Sequence, residues 1–544
     1  MVVELLLWLF LGGVPIRSYV PPKLDPEPEI TPSAVTVVEI VPANGDGDTA
    51  VLARPTYAAP LAGHVARGAR IAVRGEVVLQ GNGRGCGTKR YFALEPLGYI
   101  CSSEVRPSTK PKTDESVLKL VEGTPLPYRY AMVIVPEGEF LPMWGSLSSL
   151  HAHEEPERQL SRGDTVALAA TPDIQSFEGS NYYVSVDGKV LPTRSTMKVE
   201  QYSNWQGLQL TEATHFPFGW VNPANAPVYD APNGKKLEDV PHRTRVDILE
   251  EQLVGRARWL RVGEGRWMKE RHLNEVRKID RPTGTGAHAQ WFDVDLGEQV
   301  VVAYRDAQPV YATLTSSGHE PNHTPRGNYP IWGKVTSITM KSQEYDDIPY
   351  YVNRVPWVMF FQAHNALHGA YWHDRFGNTK SHGCVNLAPN DAHYLFDWLE
   401  PNLPLGWTSI RNWDLTQAPV AHVHDTHKAK GLVQERNVGP PNTNDEAERV
   451  SKALARREAE AAAAAAAAGT ATAASTPGEP GTALPLGPGP AAPTGVTPTV
   501  VPPQGVAPGV TSPTPLSPTT SLGAPAGPTA TAQTVSSPTA AMAR

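Results

Sequence analysis

A mainly β, multidomain protein ending in a disordered tail is the fold class predicted by this 544-residue sequence, on three observations. Short β-branched and aromatic runs, parted by Gly- and Pro-containing turns, recur from residue 36 to residue 412. Helical spacing of apolar residues stands out in that span only near residue 395. Residues 470–544 are Ala, Pro, Thr and Gly in no strict period, and such a chain buries too little apolar surface to offset its conformational entropy.

The elements follow in chain order. Residues 1–14, "MVVELLLWLFLGGV", have an apolar core from Leu5 to Leu11 of secretory length, too short to span a bilayer. No Lys or Arg precedes it and Glu4 interrupts it; the expectation is an export segment. Residues 15–35 are Pro-rich and polar and read as an extended linker. Residues 36–106 form a small β module with "AVTVVEIV", "HVARGARIAVRGEVVL" and "YICSSEV" as strand runs. Within it Cys86 and Cys101 flank "GTKRYFALEPLGYI", a hairpin pattern that can bring two thiols to bridging distance in an oxidising compartment. Residues 117–215 are a β-rich middle segment without a chemical reading; its His151 and His153 sit among Glu154, Glu155 and Glu157 and read as a solvated charge cluster rather than a metal pair. Residues 216–280 form a second small β module. They repeat the pattern of the first: a strand, a Pro-containing turn, an Arg-bearing stretch and an aromatic, Gly-rich hairpin.

Residues 289–412 behave as one unit. A strand meander over "QWFDVDLGEQVVVAYRDAQPVYATLTSSG" is followed by "TPRGNYPIWGKVTSITM", "VPWVMFF" and "HNALHGAY". A helix carries Ala392, Leu395, Phe396 and Leu399, with Asn390–Asp391 as the cap candidate and Pro401 as the stop. Beyond 413 strand signals are lost: 413–469 read as a linker with an Ala-rich helix over 445–468, and 470–544 as the tail. Net charge is -7 and no Lys/Arg block occurs, which argues against a nucleic-acid partner.

The chemistry gathers at "KSHGCVNL", residues 380–387. If Cys86 and Cys101 pair, Cys384 is the odd thiol of three, and it sits in a polar, Gly-containing turn instead of an apolar face. Gly383 lets the backbone bend sharply, and such a turn can aim N–H groups at one point, as an oxyanion site requires. A thiol needs a base to become a nucleophile, and imidazole is the usual one. His364, His368, His373, His382 and His393 are all near enough in sequence; His382 is nearest, but neighbours on a tight turn diverge.

"LHGAYWHDRFGNTKSHGCVNL", residues 367–387, resembles the signature of the L,D-transpeptidase (YkuD-type) catalytic domain, in which a His-Gly precedes Ser/Thr-His-Gly-Cys. "TPRGNY" (324–329) and "FDVDLGEQVVVAY" are similar to other segments of that family. The resemblance implies a β-sandwich-like catalytic domain with Cys384 as nucleophile and His368 as its proton acceptor and donor. The Gly369 carbonyl would orient the imidazole. His382, Gly383 and the Cys384 N–H would form the turn and its oxyanion donors. Ser381 and Asn386 would hold the loop and the substrate, with His373 behind them, and His364 and His393 would be structural. It further implies peptidoglycan stem peptides as substrates, 3–3 cross-links as products, no metal and no cofactor. The protein would work as a monomer exported to the periplasm or cell envelope. The two small modules resemble bacterial SH3-like domains, which implies contact with wall polymers or a spacer role. A zinc site built from His364, His368, His373, His382 and Cys384 is disfavoured, because His364 and His368 lack an adjacent Glu and His-Gly-Cys is a poor ligand spacing. A Cys384–His368 pair is expected to keep alkylation of Cys384 going below the pH at which a free thiol, pKa about 8.5, stops reacting.

Overall fold

The computed structural model describes residues 27–426, apart from 43–46, 80–85, 87, 114–117, 199–201, 287, 320–322, 343–349 and 413. The export segment, the Ala-rich helix and the tail lie outside the described residues. Among the described residues no helix is long and apolar enough to cross a membrane.

The protein is mainly β, and ten strands of the region from residue 289 onward form one continuous ladder. They are β1 (Gln290–Asp295), β2 (Val300–Arg305), β3 (Gln308–Ser316), β4 (Gly327–Pro330), β5 (Gly333–Lys341), β6 (Tyr351–Gln362), β7 (Asn365–Gly369), β8 (Val385–Leu387), β9 (Trp407–Arg411) and β10 (Val420–His424). Their order is β4-β10-β1-β2-β3-β8-β7-β6-β5-β9. The ladder folds over a core in which Phe292, Val294, Val301 and Val423 from one half meet Met359, Phe361, Leu367 and Val385 from the other. Alternation puts these residues on one face of each strand, while the other face of β1 to β3 packs a second core of Trp291, Val300, Val302 and Tyr304.

Helix α1 (Pro389–Trp398) closes one end of this core with Ala392, Leu395 and Phe396. Its N-cap is Ala388 with Pro389 in the first turn, and no side chain caps it. The expected cap role of Asn390–Asp391 is therefore corrected. Asp391 is fully buried one turn in, where it accepts hydrogen bonds from Tyr311 Oη (2.7 Å), Gly207 N (2.8 Å) and Thr313 Oγ1. Proline already supplies the helix start, so the carboxylate is free to tie α1 to β3 and to the incoming middle segment. Asp391→Ala would strand these donors in the core and is expected to destabilise the protein by about 3 kcal/mol or more, read as a fall in thermal midpoint.

A second correction concerns residues after 413. Val420–His424 is a strand, β10, seated between β1 and β4. Its two histidines read as polar in the sequence, yet all five residues are buried. The Pro-rich linker also differs from expectation in its second half. Thr31 bridges Glu76 of the first module, and Glu27 accepts a 2.7 Å hydrogen bond from Tyr99 Oη.

The first module is an antiparallel sheet whose strands include Val37–Ile40, Thr49–Leu52, Leu61–Val65, Arg70–Val78, Arg90–Leu94 and Tyr99–Cys101. Cys86 and Cys101 are joined in a disulfide, with Cα atoms 5.7 Å apart. Its Leu61–Val65 strand pairs directly with β9, so this module and the ten-strand ladder share one sheet. Gly63 allows the approach: a Cβ there would lie 2.2 Å from Ser409 O.

The middle segment grips β6. Thr165 pairs with Val352, Asp164 accepts from Tyr351 N (2.8 Å), Asn353 accepts from Ala167 N (2.8 Å), and Asp187 forms an ion pair with Arg354. Tyr130 stacks on Tyr371 at 3.5 Å. The second module is two sheets around Val221, Val228, Leu260 and Met268. It holds residues 373–378, between β7 and β8: Arg243 pairs with Asp374 at 2.6 Å, and Asn222 and Asn274 donate to Gly377 O at 3.1 and 3.0 Å.

Candidate active site

β7 and β8 are parallel neighbours with Leu367 opposite Val385, His368 opposite Asn386 and Gly369 opposite Leu387. Parallel strands need a long crossover, and residues 370–384 supply it. Leu367, Val385 and Leu387 enter the main core. Alternation therefore turns His368 and Asn386 to the other face, side by side, with Cys384 two residues before Asn386.

His368 is 2% exposed, and its Nδ1 lies 3.2 Å from Gly369 O. A carbonyl only accepts, so Nδ1 carries the proton and Nε2 keeps a lone pair. Burial pushes the imidazole down to about 4, the Gly369 carbonyl opposing. Gly369 sits where space is short: an added Cβ would lie 3.2 Å from Pro356 Cγ and 3.3 Å from Trp357 Cε3.

Cys384 is half-buried. Its Sγ rests against the start of β7, 3.9 Å from His364 O. Burial pushes the thiol up to about 11, with a hydrogen bond from the Ala366 backbone opposing. Burial thus favours the neutral form of both thiol and imidazole, and the sulfur's polar contacts are to the β7 backbone at His364 and Ala366. Two neutral groups cost less to bury than an ion pair without further partners.

The turn before Cys384 is held by side chains. Ser381 Oγ accepts from Gly383 N (3.1 Å) and donates to Cys384 O. The Gly383 N–H expected at an oxyanion site is thus taken by Ser381. Gly383 has φ +122, and a Cβ there would also collide with Asn365 Oδ1 at 2.6 Å. His382 is exposed and stacks on Tyr350 at 5.2 Å, facing away from the sheet. His373 Nε2 lies 2.9 Å from the Asn386 amide, and burial pushes that imidazole down to about 3. His364 is exposed, and His393 stacks on Trp357 at 4.7 Å and approaches Asp397.

Several residues beyond the expected set organise this turn. Thr324, of "TPRGNY", donates to Gly383 O and accepts from Gly318 N, both at 2.9 Å. Thr315 Oγ1 donates to Asn386 O (2.7 Å), Ser316 Oγ to Arg375 O (2.8 Å) and Asn378 O (2.6 Å), and Ser317 O accepts from Lys380 N and Ser381 N, each at 3.0 Å. The signal available was the run "TSSG" at the end of an apolar strand, more hydroxyls than a turn needs. Thr324→Val keeps the shape and removes both bonds. It is expected to slow chemistry at Cys384 about tenfold, each lost bond being worth about 1 kcal/mol, while the thermal midpoint moves by only a few degrees.

Residues 289–411 match the family model described as the L,D-transpeptidase catalytic domain, YkuD. No curated protein matches the chain. Among solved structures, the chain is similar to the L,D-transpeptidase (Yku) of Stackebrandtia nassauensis. That pair has 20% identity and a TM-score of 0.19, over 27% of this chain and 62% of that one, less than two thirds of its length. It is also similar to the catalytic domain of the E. faecium L,D-transpeptidase, with 24% identity and a TM-score of 0.20 over 25% of this chain and 98% of that one. A third is L,D-transpeptidase 3 from Mycobacterium tuberculosis in complex with a faropenem-derived adduct, at 16% identity and a TM-score of 0.21, over 31% of this chain and 67% of that one.

Proposed function

We propose that this protein is a peptidoglycan L,D-transpeptidase that works through a thioester on Cys384 and forms 3–3 cross-links between stem peptides. The observation that carries the reading is the register of β7 and β8, which aligns His368 with Asn386 on the face reached by the Cys384 turn, inside a region that matches the L,D-transpeptidase catalytic domain. Sγ attacks the carbonyl of the third-position diamino acid of a tetrapeptide stem, and its proton passes to His368 Nε2. The C–N bond to the terminal D-alanine then breaks, and His368 returns the proton to the departing amine. An amine of a second stem attacks the thioester, loses its proton through His368 to the Cys384 sulfur, and leaves as the cross-linked product. Two easier steps replace one difficult amide exchange. A rotation of the Cys384 side chain toward His368 precedes attack, consistent with hydrogen bonds that tighten only when substrate is bound. The Cys384 N–H serves the developing oxyanion, with Ser381 and Thr324 as positioning residues.

We assign residues 36–106 and 216–280 as SH3-like modules that contact the wall, and the protein as exported to the cell envelope. The test is product analysis with the full chain and a purified disaccharide-tetrapeptide. D-Alanine release with a 3–3 dimer is expected, and none with Cys384→Ala. Tripeptide alone would reassign the protein to L,D-carboxypeptidase chemistry. Incubation with faropenem is expected to add one adduct to the wild-type mass and none to Cys384→Ala. Absence of both D-alanine release and adduct would overturn the enzyme reading.

A further inference from the structure

The parallel pair β1/β10 carries chemistry that the reaction above does not use. Phe292, Val294, Ala421 and Val423 face the main core, so alternation turns Asp293, His422 and His424 to the opposite face. Asp293 is the register partner of His422, and His424 follows two residues on. All three are at least nine-tenths buried, and one ligating atom from each lies within 4.8 Å of the other two.

The protonation of His422 follows from its neighbours. Asn328 donates its amide N–H to Thr283 O at 2.9 Å, which turns its Oδ1 to His422 Nδ1 at 2.6 Å. Nδ1 therefore holds the proton, and the lone pair is on Nε2, which is buried and has no hydrogen-bond partner. An orphaned acceptor in the interior costs about 1–3 kcal/mol and calls for an explanation. A donor held in one tautomer by an outer amide is how metal-ligating imidazoles are prepared. His424 Nε2 lies 2.8 Å from Asp293 Oδ1. Nearby Asp295 is already committed, its Oδ1 accepting from Gly297 N, Glu298 N and Thr426 N.

We propose that Asp293, His422 and His424 form a binding site for one divalent transition-metal ion of the zinc class, apart from the Cys384 centre. Two imidazole nitrogens and a carboxylate select zinc-like ions over calcium or magnesium, and three protein ligands leave a fourth position for water. Binding replaces the His424–Asp293 hydrogen bond with two metal bonds, and the His424 proton moves from Nε2 to Nδ1 so that the ring binds as a neutral imidazole. The ion cross-links β10, the last strand before residue 427, to β1. The other buried ligand group among the described residues, Glu270, Glu275 and Glu298, is met by Arg258, 2.6 Å from Glu275 and 3.3 Å from Glu270, and by Arg277, 2.5 Å from Glu275, and reads as an ion-pair network.

The probe is Zn2+ alone, added to the full chain after chelation. One equivalent bound per chain is expected, retained in Cys384→Ser and weakened at least tenfold in His422→Ala and His424→Ala. The wild-type thermal midpoint should rise by roughly 5 °C at zinc about a hundredfold above its dissociation constant and fall back with EDTA. That second readout needs no variant to fold. No uptake by the wild type, uptake lost in Cys384→Ser, or an unmoved midpoint would each overturn the site.

Discussion

His368→Ala is expected to slow thioester formation at Cys384 by about 10²- to 10⁴-fold, the range that a positioned acid–base group contributes. Cys384→Ala should remove the reaction altogether. The large effect follows from the tautomer. Gly369 O fixes the proton on Nδ1, so Nε2 keeps the lone pair that can take the thiol proton. His373 is held against Asn386, and His382 points outward on Tyr350. The measurement is the single-turnover rate of faropenem adduct formation, followed by intact mass, alongside the thermal midpoint. His368→Ala within threefold of wild type would remove His368 from the reaction. A lost adduct with a collapsed midpoint would instead report on folding, and His368→Gln, closer in volume, then decides.

Alkylation of Cys384 is expected to become steadily faster with pH past 8.5 and on toward about 11, with no plateau near neutrality. At pH 7 it should run on the order of a hundredfold slower than a free cysteine, because burial holds the proton on sulfur. Stability should follow the same two groups. His368 has its folded value depressed to about 4, so below about 6.5 the unfolded chain takes up a proton that the folded chain refuses. Stability is whole above that point and is lost as pH falls toward 4, by on the order of 3 kcal/mol for this residue. Cys384 has its folded value raised, so its contribution is present below about 9 and is lost as pH rises toward 11. Iodoacetamide rates and denaturant midpoints across pH 4 to 11 read both effects. A rate plateau beginning below pH 7 would mean a preformed thiolate.

Much of the catalytic region was legible because local chemistry and motif agree there. The strand runs of 290–316 are rich in β-branched and aromatic residues between polar turns, and a Gly-bearing polar turn around a lone cysteine has few structural uses. The thiol's ionisation was not legible, because it depends on how much water reaches Sγ and on which partner is nearest, and both are properties of the packed turn. Nor was the role of the middle segment: Asp164 and Asp187 act only once β6 is beside them, and 187 residues separate Asp164 from Tyr351. Asp391 was misread for a related reason, since a cap and a buried anchor look alike until Tyr311 and Thr313 are seen beneath it. β10 escaped notice because burial of His422 and His424 is paid for by Asn328 and Asp293, which lie about a hundred residues earlier.

The placement of β10 and of the Leu61–Val65 strand bears on how the protein can be divided. A fragment ending at residue 412 would leave β1 and β4 without the strand between them, and one beginning at residue 289 would bare the outer side of β9. Each is a row of unpaired N–H and C=O groups, the template on which other chains stack. Trimming to the boundaries of the catalytic motif should therefore yield aggregates, and the shortest soluble form is set by which strands close the sheet.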